Sequence, residues 1–539
     1  MKNKERKTEW WEYDGRLFNF RPCLFVFLFL CLGILYGFLV VYHNAPLWWL
    51  LLLLPLIPLP YFLLKKKSAL LAVWFMALAF VCGGLSYTTK ATEYLSSPIV
   101  NGDRVVYGEV ISVSYTEEKT ELLLTKLHIA GVEYEGKLVA YLLGGYGENI
   151  RVGDRVYVEG KVTTRTDVYG NGAQYSFAKD ACYSLVSDGR AQVVSHHFRL
   201  FATLREHLRE RLYAGMSEDS ASLAFALLTG DSSWVEEGIL ENTRKGGIAH
   251  IFAVSGLHIG TLYGVCLWLL SKIKALKGKR LFRLSIVVFV LLFYGAVCGF
   301  RESVIRAVVG CITAEICLLL GIKRDMIETL SLAGIAVLAV NPISLFCVGF
   351  QLSFLACFGI AFLASPIQVC LERIFIRENR RPILDRIFSL TPDPSARKEH
   401  KVISFLSITL AVQLATAPVL YLSFGYLSTW GLLLNCLLVP CISMVFSLTL
   451  LFVTLSCLLP VILAKAMLWL PNLIWSLIAL IFQLLDFTAV FEGNVLPFGA
   501  TIAYYCALVI LSDKLNLTKG KRWIGAGVFL LCFVVGYFL

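Results

Sequence analysis

The chain has 539 residues, of which 57% are hydrophobic and 16% are charged, and its formal net charge is +11. Soluble proteins carry about 25% charged residues, so this composition excludes an ordinary soluble enzyme and indicates a polytopic membrane protein. Many of the basic residues lie in short loops between apolar runs, where the positive-inside rule explains them without any anionic ligand.

Three apolar runs open the chain, at about 22–42, 47–64 and 68–86. A span needs about 20 apolar residues, so each run is close to the length that crosses a membrane. The first is not a signal peptide, because a second span follows it at once without a small-residue cleavage site. The lysines at 65–67 orient the N-terminus into the cytoplasm of an inner (cytoplasmic) membrane, with the segment after residue 86 outside.

Residues 87–198 change character, because apolar and polar residues alternate in stretches such as RVYVEGKVTTR. Alternation with a period of two predicts antiparallel strands. About five short strands suit a small barrel of the OB type, a fold often used to bind nucleic acid. Residues 87–200 hold twelve Lys and Arg against fourteen Asp and Glu, so DNA binding here would need a local basic and aromatic stripe.

Such a stripe is available between residues 151 and 165. In single-strand binders, cations follow the phosphates while aromatic rings stack on the bases. The candidate DNA-binding residues of the β-domain are Arg151, Arg155, Tyr157, Lys161 and Arg165. An ordinary solvated β-face explains the same residues equally well.

An amphipathic helix is predicted at 199–216, with leucines every four residues and a place at the membrane surface. Ten further apolar runs bring the predicted number of spans to thirteen. The expected fold class is a polytopic α-helical membrane protein with an inserted extracytoplasmic OB-like β-barrel. The predicted domains are 1–86, N-terminal transmembrane helices; 87–198, extracytoplasmic OB-like domain; 199–247, amphipathic or interfacial helical segment; and 248–539, a multi-span channel domain.

The stretch HIFAVSGLHIG, residues 250–260, places polar side chains in an apolar run. On a continuous helix three of them share one face, namely His250, Ser255 and His258. The opposite face carries glycines in GxxxG spacing, which lets a neighbouring helix approach closely: Gly256, Gly260 and Gly264. Hydrogen bonding between helices explains either histidine alone, whereas three polar groups on one face favour a wet lining.

Three later blocks also carry polar residues. In CGFRESVIRAVVG, Glu302 and Arg306 are four residues apart and are predicted to pair, although snorkelling arginines at a span end are the alternative. The other blocks, 341–360 and 413–440, interrupt apolar runs with amide side chains, and the latter also contains internal Pro and Gly. Such interruptions are typical of transport sites, but a single Gln or Asn also serves to bind helices together.

The blocks HIFAVSGLHIG, GFRESVIRA, NPISLFCVGFQLSFLA and the segment 413–440, in this order behind an external β-domain, resemble the ComEC/Rec2 competence family over nearly the whole chain. The resemblance implies an inner-membrane channel that conducts single-stranded DNA into the cytoplasm during natural transformation. The motif positions that it implies for the DNA path are His250, Ser255, Gly256, His258, Arg301, Ser303, Arg306, Gln351, Ser353, Gln413 and Asn435.

Many members of that family end in a metallo-β-lactamase-like domain, whose chemistry needs clustered His and Asp to hold two metals. This chain has eight histidines, none after residue 400, and no HxHxDH pattern. We therefore expect a form without that domain, with no enzyme activity, metal or cofactor. The expected partners are single-stranded DNA, membrane lipids, a DNA receptor, a separate nuclease and a cytoplasmic ATPase or translocase, with a homo-oligomer left open.

Two other functions stay open from the sequence. Ser255 and His258 are three residues apart on a predicted helix and could serve as nucleophile and base of an intramembrane hydrolase, although no acid is evident to orient the histidine. A transporter of a lipid-linked or cell-wall precursor would use the same interrupted spans.

Overall fold

The computed structural model describes residues 21–43, 68–115, 119–144, 150–165, 167, 173–189, 191–252, 256–274, 279–322, 325–375, 401–457, 459–484, 490–492, 497–512 and 519–538. The second predicted span, 47–64, lies outside these ranges. The first two described helices are α1 (Pro22–His43) and α2 (Ser68–Leu95). They pack side by side, and a Cβ atom at Gly33 would lie 2.0 Å from the Phe80 carbonyl oxygen. Glycine is therefore what permits this close approach.

A β-domain follows α2. Its strands are β1 (Gly102–Tyr115), β2 (Lys119–Ile129), β3 (Val132–Tyr134), β4 (Lys137–Leu143), β5 (Arg155–Thr164), β6 (Ala181–Ser187) and β7 (Gln192–Ser195), with a short helix α3 (Ala173–Ala178) between β5 and β6. Five strands close into a barrel in the order β1-β2-β4-β6-β5-β1, and β4 and β6 run parallel. Val156, Val158 and Val162 of β5 are fully buried, while the alternate residues face outward. The predicted period-two pattern and the small barrel are confirmed.

Three helices connect the barrel to the remaining chain: α4 (Leu200–Gly215), α5 (Glu218–Thr229) and α6 (Glu237–Lys245). The predicted amphipathic helix is α4; its C-terminal part packs on other helices, and its place at a membrane surface stays a prediction. Leu212 is fully buried among protein side chains, and a Cβ atom at Gly215 would lie 2.5 Å from Leu468. Helix α5 is buried from Ser220 to Thr229, as expected of a helix that is enclosed on all sides.

The remaining helices are α7 (Gly256–Lys272), α8 (Arg280–Val297), α9 (Glu302–Leu320), α10 (Met326–Val340), α11 (Val348–Phe375), α12 (Lys401–Phe424), α13 (Gly431–Cys457), α14 (Val461–Leu484), α15 (Phe498–Leu511) and α16 (Lys519–Phe538). Short 3-10 turns occupy Ala249–Ile251 and Pro342–Phe346, and the strands β8 (Tyr426–Ser428) and β9 (Val490–Glu492) pair with each other.

Seven described helices are long and apolar enough to cross a membrane: Pro22–Tyr42, Arg280–Val297, Glu302–Leu320, Val348–Glu372, Lys401–Phe424, Gly431–Cys457 and Lys465–Gln483. Three shorter apolar helices accompany them, at Met326–Val340, Gly499–Leu511 and Ile524–Val534. The polytopic helical character is thus present in the described part of the chain, and the number of thirteen spans stays a prediction.

The barrel contacts the helices in two places. On one side the hydroxyl of Tyr94 in α2 donates to the Ala181 carbonyl at 3.0 Å, deep in the barrel wall. On the other side the ring of Tyr115 lies 4.5 Å from the ring of Trp234, and the guanidinium of Arg209 lies 4.2 Å from the same indole. The Tyr94 hydrogen bond and the half-buried contacts of Trp234 hold the barrel against both α2 and the α4–α6 segment.

Candidate functional site

The first polar block does not form one continuous helix. Gly247 adopts a left-handed conformation with φ +70°, His250 lies in the 3-10 turn, and α7 begins only at Gly256. Ser255 lies outside the described residues. The prediction that His250 and His258 share a face of one helix is therefore wrong, because the left-handed glycine ends the preceding helix and the chain re-enters helical geometry later.

A second non-helical segment lies inside the helical bundle. The chain turns at Gly425, with φ +78°, and folds back along α12 as β8. A Cβ atom at Gly431 would lie 3.2 Å from Nε2 of Gln413, a residue eleven positions before the end of α12 at Phe424. Eleven residues of helix correspond to about 16 Å, so the returning segment reaches about 16 Å back along α12. Non-helical backbone at such depth is tolerated where it is enclosed by protein or lines a watery cavity.

Both non-helical segments meet around one glycine, and we call this group the Gly247 cluster. Its members are Gly247, His250, Gln413, Ser428, Gly431 and Asn435. The Gly247 carbonyl accepts from Asn435 Nδ2 at 3.5 Å and from the imidazole of His250. A Cβ atom at Gly247 would lie 2.9 Å from Ser428 Cβ. Residues from distant sequence blocks, His250, Gln413 and Asn435 among them, therefore come together in space.

Three oxygen atoms of the Gly247 cluster are buried without a hydrogen-bond partner: Gln413 Oε1, Ser428 Oγ and Asn435 Oδ1. Buried polar atoms in proteins nearly always have a partner, so these three oxygens show that the Gly247 cluster is polar and not fully satisfied by protein groups. Ser428 was missed by the sequence analysis, since a single serine after Gly425 carries no signal of its own.

Arg306 forms a second polar site, between α9 and α11. Its Nε donates to Ser353 Oγ at 2.7 Å and its Nη1 donates to Cys357 Sγ at 2.8 Å. A Cβ atom at Gly256 would lie 2.9 Å from Nη2, so the missing side chain makes room for the guanidinium. The predicted pair of Arg306 with Glu302 is wrong, because α11 offers two acceptors across the helix interface.

Other predicted residues occupy separate positions. Gln351 donates from Nε2 to the Leu345 carbonyl at 3.0 Å, which closes the turn before α11. Arg301 is exposed, at the start of α9, directly after Gly299 and Phe300, both with positive φ. Ser303 lies half-buried two residues further on, in the first turn of α9.

The surroundings of His258 and of the glycines in α7 also differ from the prediction. His258 is 2% exposed, and its ring lies 4.6 Å from the ring of Phe446. Close helix packing at Gly260 and Gly264 was predicted from the GxxxG spacing, but a Cβ atom at either position would meet no described atom within 4 Å. That prediction is wrong within the described residues, since Gly256 alone of the three is tightly packed.

A carboxylate within a candidate span escaped the sequence analysis. Glu315 lies within the apolar helix α9, and its carboxylate accepts a hydrogen bond from the Tyr263 hydroxyl of α7. An acid inside an apolar span is costly and marks functional interiors, so its position within a candidate span was a usable signal.

On the barrel, the outward face of β5 brings together three of the five predicted DNA-binding residues. Arg155, Tyr157 and Lys161 alternate with the buried valines, and Glu159 lies in the same outward row. Tyr107 of β1 pairs directly with Tyr157, and its ring lies 6.0 Å from the ring of His128 on β2. The sequence analysis missed Tyr107 and His128, because strand pairing brings them to this face.

The other two predicted DNA-binding residues, Arg151 and Arg165, have different surroundings. The side chain of Arg151 is 63% exposed and its Nη2 lies 4.0 Å from the Glu206 carboxylate of α4. Nε of Arg165 is buried without a hydrogen-bond partner. We call the outward surface of the barrel around Tyr107 the Tyr107 face. Its members are Tyr107, Lys126, His128, Arg155, Tyr157 and Lys161.

A small cavity of about 140 Å³ lies on the Tyr107 face, lined by Tyr107, Glu109, Lys126, His128, Glu133 and Arg155. The side chain of Glu109 is 3% exposed, accepts from Arg199, and lies 2.9 Å from Lys126 Nζ. Hydrogen bonds from Arg199 and Lys126 lower the pKa of Glu109 to about 2. The carboxylate thus holds two cations at the edge of the face and ties the barrel to the start of α4.

Comparison with known proteins gives the family. A family model described as Competence protein matches residues 227–514, which is more than half of the chain. ComE operon protein 3 of Bacillus subtilis (strain 168) is 29% identical over 167 residues, which are 31% of this chain and 21% of that protein. The match thus covers about a fifth of that relative's length. No solved structure matches the chain. Because the family model covers more than half of its residues, the chain belongs to the competence protein family.

Proposed function

We propose that this chain is an inner-membrane channel that conducts single-stranded DNA into the cytoplasm during natural transformation. The observation that carries the proposal is the Gly247 cluster. There, two non-helical segments and polar residues from separate blocks meet inside a bundle of apolar helices. Interrupted helices whose ends and unwound backbone face a common site are typical of membrane transport proteins.

The chemistry of the lining supports a polyanion as the cargo. A phosphate backbone that crosses about 30 Å of hydrocarbon needs polar groups along its way, because a bare buried charge is prohibitively costly. Arg306 supplies a permanent charge and a forked set of donors that fits phosphate oxygens. Arg301, exposed at the start of α9, supplies a second cation. Neutral hydroxyl and amide groups bind weakly enough to let a strand slide.

We infer that the barrel is an OB-type domain that receives the strand before the channel. Its five closed strands with a single parallel pair, β4 with β6, suit that Greek-key fold. The Tyr107 face offers aromatic rings for base stacking and cations for phosphates, as single-strand binding surfaces do. This local group of cations and aromatic rings would let the domain bind DNA despite its excess of acidic residues.

The proposed topology places the N-terminus in the cytoplasm and the barrel outside. The basic loops between spans support this orientation through the positive-inside rule. In this arrangement the chain works with a DNA receptor, a separate nuclease and a cytoplasmic ATPase or translocase, and with a second copy of itself where a homo-oligomer forms.

The test is uptake of labelled DNA by competent cells with and without the gene. We expect internalised, nuclease-resistant label only in cells that carry it. Equal internalisation in both strains would overturn the proposal. A deletion that instead accumulates lipid-linked cell-wall precursors, with normal DNA uptake, would favour the precursor transporter.

A further inference from the structure

We propose that the small cavity of the Tyr107 face binds a guanine base of the incoming strand, with Glu133 and Lys126 bonding the edges of the base. This inference rests on the proposed function and deepens it, because it gives the strand-binding face a preference for one base. The cavity of about 140 Å³ is lined by Tyr107, Glu109, Lys126, His128, Glu133 and Arg155. Aromatic rings and charged groups of both signs thus surround one opening.

Four residues form one row across the outward surface of the barrel. Glu133 of β3 pairs with His128 of β2, and His128 pairs with Tyr107 of β1. Tyr107 pairs in turn with Tyr157 of β5. Neighbouring strands lie about 4.8 Å apart, so a carboxylate stands at one end of a row of three rings. A base that stacks on His128 or Tyr107 can therefore turn a hydrogen-bonding edge toward Glu133.

The two acids of the cavity differ in what they already bind. Glu109 is 3% exposed, accepts from Arg199 and lies 2.9 Å from Lys126 Nζ. Glu133 is exposed on a strand of only three residues. Glu109 therefore serves to position cations, whereas the Glu133 carboxylate is accessible as an acceptor for a ligand.

Lys126 supplies a donor beside this acceptor. The pairing of β1 with β2 is irregular between Tyr107 and Glu109, and Lys126 has a φ of +52° at this bulge. A β-bulge redirects a side chain relative to the regular strand. An ammonium group carries three donors, and the Glu109 carboxylate engages only one side of it. The other donors can bond a base while Glu109 holds the ammonium in place.

Guanine satisfies both groups better than the other bases do. Its N1–H and N2–H₂ donors lie side by side and match the two oxygens of a carboxylate, while its O6 and N7 accept from lysine. Adenine and cytosine each offer a carboxylate a single exocyclic amine, and thymine has carbonyl acceptors instead. A phosphate does not suit this end of the row, because Glu133 would repel it, so the phosphates are left to Arg155 and Lys161.

The experiment measures binding of fluorescently labelled oligonucleotides to the purified full-length chain in detergent. One strand contains thymidine alone, and three others carry a single central deoxyguanosine, deoxyinosine or deoxyadenosine. We expect the deoxyguanosine strand to bind about fivefold or more tightly than the deoxyadenosine strand. Inosine lacks the N2 amine, so its strand should lose part of this gain. Glu133→Ala should lower the affinity for the deoxyguanosine strand to that for the deoxyadenosine strand.

Glu135→Ala is the matched control, because it removes the same charge from a residue that lines the neighbouring cavity of about 480 Å³ instead. Its preference for deoxyguanosine should equal that of the unaltered chain. Equal affinity for all four strands, or binding of none, would overturn the inference, as would a preference that survives in Glu133→Ala. Equal affinity would leave DNA conduction standing, since uptake of labelled DNA by cells with and without the gene tests conduction separately.

Discussion

Arg306 of α9 joins two helices of the bundle, because its Nε donates to Ser353 Oγ on α11 at 2.7 Å while Nη1 reaches Cys357 Sγ at 2.8 Å. Bonds on one side of the guanidinium fix its position and leave Nη2 directed toward Gly256. A cation held in this way is pre-organised for phosphate, because little side-chain entropy remains to be lost on binding.

Arg306→Ala should lower DNA uptake at least tenfold while the protein reaches the membrane in normal amounts. Arg306→Lys should restore little of the DNA uptake, since an ammonium group cannot reproduce the planar guanidinium that reaches both acceptors. Uptake of labelled DNA, normalised to membrane abundance, is the measurement. Arg280→Ala is the control, because Arg280 is exposed at the start of α8. Equal loss in both variants would contradict a specific role for Arg306.

Two glycines of α7 give a sharper comparison. Gly256→Ala should displace the Arg306 guanidinium and reduce uptake, because its Cβ would lie 2.9 Å from Nη2. Gly260→Ala should leave uptake unchanged, since no described atom lies within 4 Å of the new methyl group. Both variants should accumulate normally, because the displaced atom is the end of a flexible side chain. Equal uptake by the two variants would show that the space at Gly256 is not needed for the function of Arg306.

The order of the barrel and the helices along the chain could be predicted from the sequence. The contacts between residues distant in sequence could not. Period-two alternation was enough to find the barrel, because each strand buries alternate residues such as Val156 and Val158. The break before α7 was missed, since apolar side chains around His250 resemble a continuous span. The return of the chain along α12 depends on Gly425 and on packing against Gln413, neither of which leaves a periodic signal.

The Tyr107 face illustrates the same limit for the barrel. Arg155, Tyr157 and Lys161 share a strand, so their common face follows from alternation alone. Tyr107 and His128 join them only through the register of β1 with β5 and β2. Register is set by the fold of the whole barrel, and it cannot be derived from one strand.

Single-strand binding to the purified chain should depend on the Tyr107 face. Tyr157→Ala should weaken binding by about 1–3 kcal/mol through lost stacking. Arg155→Ala and Lys161→Ala should each reduce the slope of log affinity against log salt by about 0.7. Lys137→Ala is the control, because Lys137 is not part of the Tyr107 face and lies instead 3.7 Å from the Asp180 carboxylate. A salt slope unchanged in both face variants would move the binding site elsewhere.

Acid should loosen the junction between the barrel and α4. The pKa of Glu109 is about 2 in the folded chain against an ordinary value of 4.5. Its ion pairs therefore stabilise the fold fully above pH 4.5, and this contribution is lost as the pH falls through about 2. Glu109→Gln should lower stability at pH 6 by about 1–2 kcal/mol, allowing for solvent around Arg199 and Lys126.

The measurement for Glu109 is hydrogen exchange of β1 and β2 peptides, corrected for intrinsic rates, in the full chain. The difference between Glu109→Gln and the unaltered chain should shrink as the pH approaches 2. Constant protection of both proteins from pH 6 to pH 3, with no difference between them, would show that the pairing does not stabilise the barrel.

The last prediction concerns water at the Gly247 cluster. If the cluster lines the DNA path, single cysteines placed at 250, 428 and 435 should react with a water-soluble thiol reagent, because a strand can slide only along a wet lining. The background must first be freed of the sixteen native cysteines. A cysteine at 270 is the dry control, since Leu270 is buried in the apolar core. Bound single-stranded DNA should slow the reaction at the cluster positions and leave the rate at an exposed position such as 280 unchanged. Resistance at all three cluster positions, equal to that at 270, would mean that the two non-helical segments are enclosed by protein and that the strand passes elsewhere.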